Sequence, residues 1–140
     1  QFLSTCSARR LPFDELLATS DIITLHVPLN RTTRHLISTR ELSLMRPDSM
    51  LINTCRGPVI DEAALIFALQ QKKLGGAGLD VFEIEPMKPE NRLLQLPMVV
   101  LTPHLATMSP DTGPAATQHA AANTARVALG QEPTSVVEPV

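Results

Sequence analysis

The sequence has few aromatic residues and no excess of positive charge. Its 140 residues include four Phe, no Trp and no Tyr, and the formal net charge is −2. Proteins that bind nucleic acids commonly stack bases on aromatic rings and neutralise phosphates with Lys and Arg. The composition therefore argues against a nucleic-acid partner, and the negative charge argues equally against an anionic membrane surface.

Long apolar runs are also missing. No run approaches the roughly 20 residues that cross a bilayer, and the opening stretch QFLSTCSARR lacks the continuous apolar segment of a signal peptide. The two cysteines, Cys6 and Cys55, form neither a disulfide framework nor a metal-ligand spacing. We therefore expect a cytoplasmic protein of about one domain, with no membrane partner and no metal.

What the sequence does contain is an alternation of short apolar runs with helical patterns. The apolar runs predict strands at 21–27, 49–54, 76–82 and 98–102. Charge and stop signals predict helices at 11–20, 39–45 and 61–73, a helical turn at 91–95 and a long helix between Pro114 and Gly130. This alternation predicts an α/β fold, part of a doubly wound parallel sheet of about four strands with helices on both faces.

Charged and titratable side chains follow the ends of these strands. The first strand ends on His26, Arg56 follows the second, Glu83 and Glu85 follow the third, and His104 follows the fourth. In an open parallel sheet, ligands bind beyond the carboxyl ends of the strands. We therefore expect a cation, a carboxylate and an imidazole to converge at one edge of the sheet.

These residue types suit a reaction on a small carboxylic acid. Arg56 can hold a carboxylate through two parallel hydrogen bonds, and His104 can exchange a proton near neutral pH. A carboxylate beside the imidazole would fix its orientation and favour its charged form. Together they predict chemistry in which a neighbouring carbonyl gains or loses a proton. Asp80, inside the third strand, needs donors to offset its burial, and a ligand amide would be a suitable donor.

Four successive blocks carry a family resemblance: HVPLNRTTRHLI, LINTCRGPVIDEAAL, GAGLDVFEIEP and VVLTPHLA. In order and spacing they resemble the D-isomer-specific 2-hydroxyacid dehydrogenases, which include phosphoglycerate dehydrogenases and the glyoxylate and hydroxypyruvate reductases. The resemblance runs from about residue 11 to residue 109. It implies a Rossmann-type fold, NAD or NADP as cofactor, and hydride transfer between NAD(P)H and a small 2-oxo acid such as glyoxylate or hydroxypyruvate.

The resemblance also implies catalytic roles. Arg56 matches the arginine that binds the substrate carboxylate and carbonyl, and His104 matches the acid/base that protonates the carbonyl oxygen. Glu85 matches the carboxylate partner of that histidine, whereas Glu83 is out of register and is expected to be solvated. Formate dehydrogenases of this superfamily have an amide in place of Glu85, so the glutamate favours 2-hydroxy-acid chemistry.

Cofactor contacts are implied in the same way. Asp80 matches the residue that hydrogen-bonds the nicotinamide carboxamide, and Thr54 and Cys55 lie where backbone carbonyls face the same amide. The segment HLATMS matches more loosely, because the family more often has glycine after the histidine. The complete expected cofactor-binding set is His26, Pro28, Thr33, Thr54, Cys55, Arg56, Asp80, His104, Ala106 and Thr107.

Some parts of the family pattern are missing. The GxGxxG phosphate loop is nowhere in the sequence, and its strand is the usual neighbour of the strand at 21–27, which we therefore expect at an unpaired edge. The substrate domain and the long helix that helps relatives dimerise are absent too, although the parent enzyme is expected to be a homodimer. We expect residues 11–130 to be the carboxyl-terminal portion of a dinucleotide-binding domain, 1–10 an ambiguous remnant and 131–140 an irregular tail.

Two alternatives stay open at this point. The chain is either a fragment of an active enzyme or a truncated, catalytically inactive isoform that acts as an interaction module. The cofactor is either NAD or NADP, since Ser7, Arg9 and Arg10 could meet a 2′-phosphate.

Other polar residues are expected to be structural. His26 is balanced between a strand-end role and a ligand contact, and Cys55 is expected to pack rather than to act as a nucleophile. The residues expected at the surface or at a helix start are His35, His119, Asp61 and Glu62.

Overall fold

A four-stranded parallel sheet forms the centre of the fold. The computed structural model describes residue 6 and residues 8–136. The strands are β1 (Ile22–Leu25), β2 (Met50–Asn53), β3 (Gly76–Leu79) and β4 (Val99–Leu101), in the spatial order β1-β2-β3-β4. The helices are α1 (Phe13–Thr19), α2 (Thr39–Leu44), α3 (Glu62–Gln70) and α4 (Thr112–Ala128), with 3₁₀ turns at Gly57–Val59 and Arg92–Gln95. The predicted α/β class and its four parallel strands are confirmed.

The buried face of the sheet builds the core. The register aligns Ile23, Leu51, Ala77 and Val99 across the four strands, and the first three are at most 5% exposed. The helices contribute fully buried leucines to the same core, which are Leu17 from α1, Leu42 from α2 and Leu65 and Leu69 from α3.

Apolar side chains on the opposite face of the sheet are exposed. Ile22, Met50 and Val100 are 64%, 48% and 69% exposed, while α1 contacts α2 and α2 contacts α3. The prediction of helices on both faces is therefore wrong for α1, α2 and α3, which share one core. The order of the strands explains this for α2 and α3, because right-handed crossovers that all advance in one direction place their helices on the same face. Helix α1 precedes β1 and joins the same core through its contact with α2.

Strand β1 lies at an edge of the sheet. In the described part of the chain it pairs with β2 alone, as expected for the strand predicted at 21–27.

Helix boundaries follow local capping. Asp61 accepts a hydrogen bond from the Ala64 amide at 3.0 Å and so caps the start of α3. Ser38 and Glu41 form a capping box at the start of α2. Helix α3 ends at Gln70 rather than at the predicted residue 73, because Lys72 has a φ of 55° and lies in the left-handed region.

The chain divides into two compact units, the first ending at Pro103 and the second beginning at His104. The second unit contains α4 and the residues that follow it. Asn123 Oδ1 accepts hydrogen bonds from the amide and the hydroxyl of Thr134, at 2.8 and 2.9 Å. Residues 131–136 therefore run back along α4 without forming a regular element.

Parts of the predicted terminal segments lie outside the described residues. These are residues 1–5 and 7 of the amino-terminal remnant, with Ser7 among them, and residues 137–140 of the tail. Among the described helices, none has the length and apolar character that a membrane crossing needs.

Candidate active site

Loops after β1, β2 and β3 bring most of the predicted site residues to one edge of the sheet. His26 and Pro28 follow β1, Arg56 follows β2, and Asp80 and Glu85 follow β3. Because the strands are parallel and adjacent, their carboxyl ends meet at this edge. The first unit therefore supplies a guanidinium and two carboxylates to one edge of the sheet.

The loop that carries Arg56 is shaped by a buried asparagine. Asn53, 1% exposed at the end of β2, donates through Nδ2 to the Arg56 carbonyl at 3.0 Å and accepts from the Cys55 amide at 3.0 Å. The exposed Arg56 side chain donates through Nη1 to the Cys55 carbonyl at 2.6 Å. Sequence reasoning missed Asn53, although a polar residue closing an otherwise apolar strand was the available signal.

Gly57 brings the Arg56 loop against the Glu85 loop. A Cβ atom at position 57 would lie 1.9 Å from both the carbonyl carbon and the carbonyl oxygen of Phe82. No side chain fits there, so the two loops are in direct backbone contact. Glu85 turns back into its own loop, where its Oε1 accepts from the Phe82 amide at 2.9 Å.

Asp80 is buried between the ends of β3 and β4. Its side chain is 4% exposed, and the Thr102 hydroxyl donates to its Oδ1. A buried carboxylate requires donors, and Thr102 supplies one that the sequence interpretation did not identify.

A cavity of about 490 Å³ opens beyond the ends of β1 and β2. It has the size of a small-molecule pocket. Its lining includes five predicted site residues, which are His26, Pro28, Thr54, Cys55 and Arg56.

Two of the predicted cofactor contacts are engaged in local hydrogen bonds. The His26 ring lies 2.9 Å from the Thr24 hydroxyl, and the Thr33 hydroxyl donates to the Pro28 carbonyl at 2.6 Å. Thr33 therefore shapes the loop after β1 from within.

His35 and Glu83, both expected to be simple surface residues, form a contact between two loops. Glu83 is exposed, in agreement with its expected solvation, and its Oε1 also lies 2.8 Å from Nε2 of the exposed His35. Sequence reasoning missed this contact between two surface residues. Asp61 and Glu62 lie at the start of α3 as predicted, and the exposed His119 ring lies 2.9 Å from the Ser135 hydroxyl.

His104, Ala106 and Thr107 belong to the second unit. His104 follows β4 by three residues and has a φ of 56°, a strained backbone conformation that proteins often keep at functional sites. The Thr107 carbonyl accepts a hydrogen bond from the Thr112 hydroxyl at the start of α4.

Comparison with known families places the chain. The family described as D-isomer specific 2-hydroxyacid dehydrogenase, NAD binding domain, matches residues 3–106. The chain belongs to this family. Its fold is accordingly of the Rossmann type, and the ligand of such a domain is a nicotinamide dinucleotide.

Relatives and solved structures of this family agree with the assignment. Glyoxylate/hydroxypyruvate reductase B of Serratia proteamaculans is 49% identical over 106 residues, which are 76% of this chain and 33% of that protein. An acyclic imino acid reductase, Bsp5, in complex with NADPH and D-Arg has a TM-score of 0.85 and 38% identity, covering 94% of this chain and 41% of that one. D-lactate dehydrogenase with NAD+ from Lactobacillus jensenii has a TM-score of 0.81 and 31% identity, covering 92% and 43%.

The match covers only part of each relative. The chain spans about a third to two fifths of the length of the curated relatives it matches.

Proposed function

We propose that this chain carries the substrate-anchoring and proton-transfer residues of an enzyme that interconverts a small 2-oxo acid and its 2-hydroxy acid. The observation that carries the proposal is the backbone contact, through Gly57, between the loops of Arg56 and Glu85. It brings the backbone next to Arg56 and the backbone next to Glu85 together at one edge of the sheet. The family resemblance assigns these two residues to substrate anchoring and to the support of His104, and this supports the proposal. Glyoxylate and hydroxypyruvate are the proposed substrates, by similarity to the named reductase.

The residues present fit a nicotinamide dinucleotide. The cavity beyond β1 and β2 has the size of a small-molecule pocket, and Asp80, whose Oδ1 accepts from the Thr102 hydroxyl, lies near the same edge of the sheet. We propose that Asp80 and the backbone carbonyls of Thr54 and Cys55 hold the carboxamide. The remaining proposed contacts are His26, Pro28 and Thr33 of the first unit and Ala106 and Thr107 of the second.

Arg56 and His104 perform complementary steps. The guanidinium of Arg56 binds the substrate carboxylate and orients the adjacent carbonyl. A nicotinamide cofactor, when bound, would supply the hydride that the carbonyl carbon receives. Protonated His104 donates its proton to the carbonyl oxygen, which becomes the hydroxyl of the product, and the neutral imidazole takes that proton back in the reverse direction. By similarity to the family, Glu85 is the proposed carboxylate partner of the imidazole and would stabilise its charged form.

Three further assignments are proposed from the similarity to the 2-hydroxyacid dehydrogenase family. The cofactor is NAD or NADP, with the exposed Arg9 and Arg10 as contacts for a 2′-phosphate. The parent enzyme is a homodimer, and its location is cytoplasmic.

The test is turnover by the full-length protein with glyoxylate or hydroxypyruvate, followed through the absorbance of NADH or NADPH. We expect His104→Ala to lower kcat by about 10²- to 10⁴-fold, the range typical of a lost general acid. His119→Ala, a change at an exposed histidine of α4, is the matched control and should leave kcat unchanged. Near-normal turnover by His104→Ala would refute the assignment, and the ratio of rates with the two reduced cofactors decides between NAD and NADP.

A further inference from the structure

A polar cluster joins three loops that carry proposed site residues. His35 lies in the loop after β1, Glu62 begins α3 just after the loop of Arg56, and Glu83 lies in the loop of Glu85. His35, Glu62 and Glu83 are called the loop clamp below.

The loop clamp contains a reciprocal pair of hydrogen bonds. The Glu62 amide donates to Glu83 Oε1 at 3.4 Å, while the Glu83 amide donates to Glu62 Oε2 at 3.2 Å. His35 Nε2 lies 2.8 Å from the same Oε1 of Glu83. Asn91 donates through Nδ2 to the second oxygen of Glu62 at 2.8 Å. Both carboxylates therefore bond to groups that come from other segments of the chain.

Global stability does not account for this arrangement. The side chains of His35 and Glu83 are 43% and 32% exposed, and ion pairs that face solvent contribute little to the free energy of folding. What the cluster does fix is geometry, because it joins positions that are far apart in sequence.

The backbone of His35 supports a geometric role. His35 has a φ of 51°, in the left-handed region that residues other than glycine seldom adopt. Its amide donates to the Pro58 carbonyl at 2.8 Å, two residues after Arg56. The strained residue is thus attached to the Arg56 loop through its backbone and to the Glu85 loop through its ring. Surroundings that hold a residue in such a conformation are often part of a functional site.

We propose that the loop clamp is a positioning device for Glu85. It holds the backbone of Glu83 against the start of α3, and Glu83 lies one residue after Phe82, whose amide donates to Glu85 Oε1 at 2.9 Å. The clamp thereby sets the direction of the Glu85 carboxylate relative to the Arg56 loop. This inference rests on the proposed function, in which Glu85 is the partner of His104.

The first test compares three variants of the full-length protein. Glu83→Ala removes the acceptor for His35 and for the Glu62 amide, whereas Glu83→Gln keeps an oxygen acceptor and removes only the charge. We expect Glu83→Ala to lower kcat about 10-fold with KM for the oxo acid unchanged, since small misplacements of supporting groups affect the chemical step. The apparent pKa of the acid/base in the pH profile of kcat should fall, because a misaligned carboxylate stabilises the imidazolium less.

Controls separate positioning from charge and from general loosening of the loop. Glu83→Gln should have the kcat and the pH profile of the wild-type protein. Glu90→Ala should change neither, since Glu90 lines the same cavity of about 230 Å³ as Glu62 and Glu83 but is not a member of the clamp. Equal effects of the Gln and Ala changes at position 83, or an unchanged pH profile in Glu83→Ala, would overturn the proposal.

The second test needs no turnover. Amide hydrogen exchange of Phe82 reports the hydrogen bond to Glu85 directly. We expect exchange about 10-fold faster in His35→Ala and Glu83→Ala, as for a locally opened loop, and unchanged exchange in Glu83→Gln and Glu90→Ala. Unchanged Phe82 exchange in the first two variants would refute the clamp. The expected exchange pattern in a protein that turns over no oxo acid would refute the dehydrogenase assignment and leave the clamp intact.

Discussion

The two units of the chain depend on different sources of stability. The fully buried leucines of α1, α2, α3 and β2 all lie in the first unit. From His104 to Val136, by contrast, the structure describes no buried residue. Helix α4 is nevertheless 17 residues long.

Local interactions explain how α4 forms without a core of its own. Its sequence is rich in alanine, the residue with the highest helix propensity. Arg126 donates through Nε to the Glu132 carbonyl at 2.7 Å, and Asn123 accepts from Thr134. The comparison teaches that identical substitutions in the two units should have very different costs.

A pair of leucines provides the largest expected difference. Leu69 is fully buried near the end of α3, and Leu129 is 74% exposed at the end of α4. We expect Leu69→Ala to lower the free energy of unfolding by about 3 kcal/mol, because it removes buried methyl groups and leaves a cavity. Leu129→Ala should change it by less than about 0.5 kcal/mol. Urea denaturation followed by circular dichroism measures both.

A large effect of the exposed leucine would contradict this comparison. A cost for Leu129→Ala approaching that for Leu69→Ala would show that the second unit buries this side chain in solution. The contrast between a core and a locally stabilised helix would then be wrong.

Two glycines sharpen the comparison at the level of the backbone. A Cβ atom at Gly57 would collide with the Phe82 carbonyl at 1.9 Å, whereas a Cβ atom at Gly113 meets nothing within 4 Å. Gly57→Ala should therefore lower the free energy of unfolding by about 2 kcal/mol through overpacking. Gly113→Ala, in the first turn of α4, should change it by less than about 0.5 kcal/mol, because the added Cβ atom meets no neighbour.

The glycine pair is measured by the same denaturation experiment. A mild effect of Gly57→Ala would mean that the loops of Arg56 and Glu85 separate easily, and it would weaken the basis of the proposed active site.

Sequence patterns were sufficient for the elements that depend on local signals. The apolar runs located all four strands, and Asp61 with Glu62 marked the start of α3. Parallel strands in sequential order also made the approach of Arg56 and Glu85 predictable, since their strands are neighbours.

Features that depend on distant contacts were not predictable in this way. His35 and Glu83 are 48 residues apart, and neither residue has a local signal for the other. The single covered face of the sheet follows from the direction of the crossovers, which apolar periodicity does not contain. The role of Asn53 arises from three hydrogen-bonding groups in the loop that follows it.

Helix caps give the smallest expected difference between the units. Asp61 accepts from the Ala64 amide at 3.0 Å and from the Ser38 hydroxyl at 3.0 Å. Asp111, at the start of α4, makes no capping bond through its side chain. Asp61→Ala should lower the free energy of unfolding by about 1 kcal/mol, and Asp111→Ala should change it by less than about 0.5 kcal/mol.

The Asp61 cap should also be sensitive to pH. The hydrogen bond from Ala64 lowers the pKa of the Asp61 carboxyl, burial opposes this, and the Ser38 hydroxyl adds to the lowering. A carboxyl whose pKa is lower in the folded state stabilises the fold fully above its unfolded pKa of about 3.9, and this contribution is lost as pH falls through the folded value. The wild-type protein should therefore lose more free energy of unfolding than Asp61→Asn as the pH is lowered from 5 through the folded pKa of Asp61. Urea denaturation at a series of pH values measures this loss. Parallel pH curves for the two proteins would show that the charge of Asp61, as distinct from its capping oxygen, does not contribute.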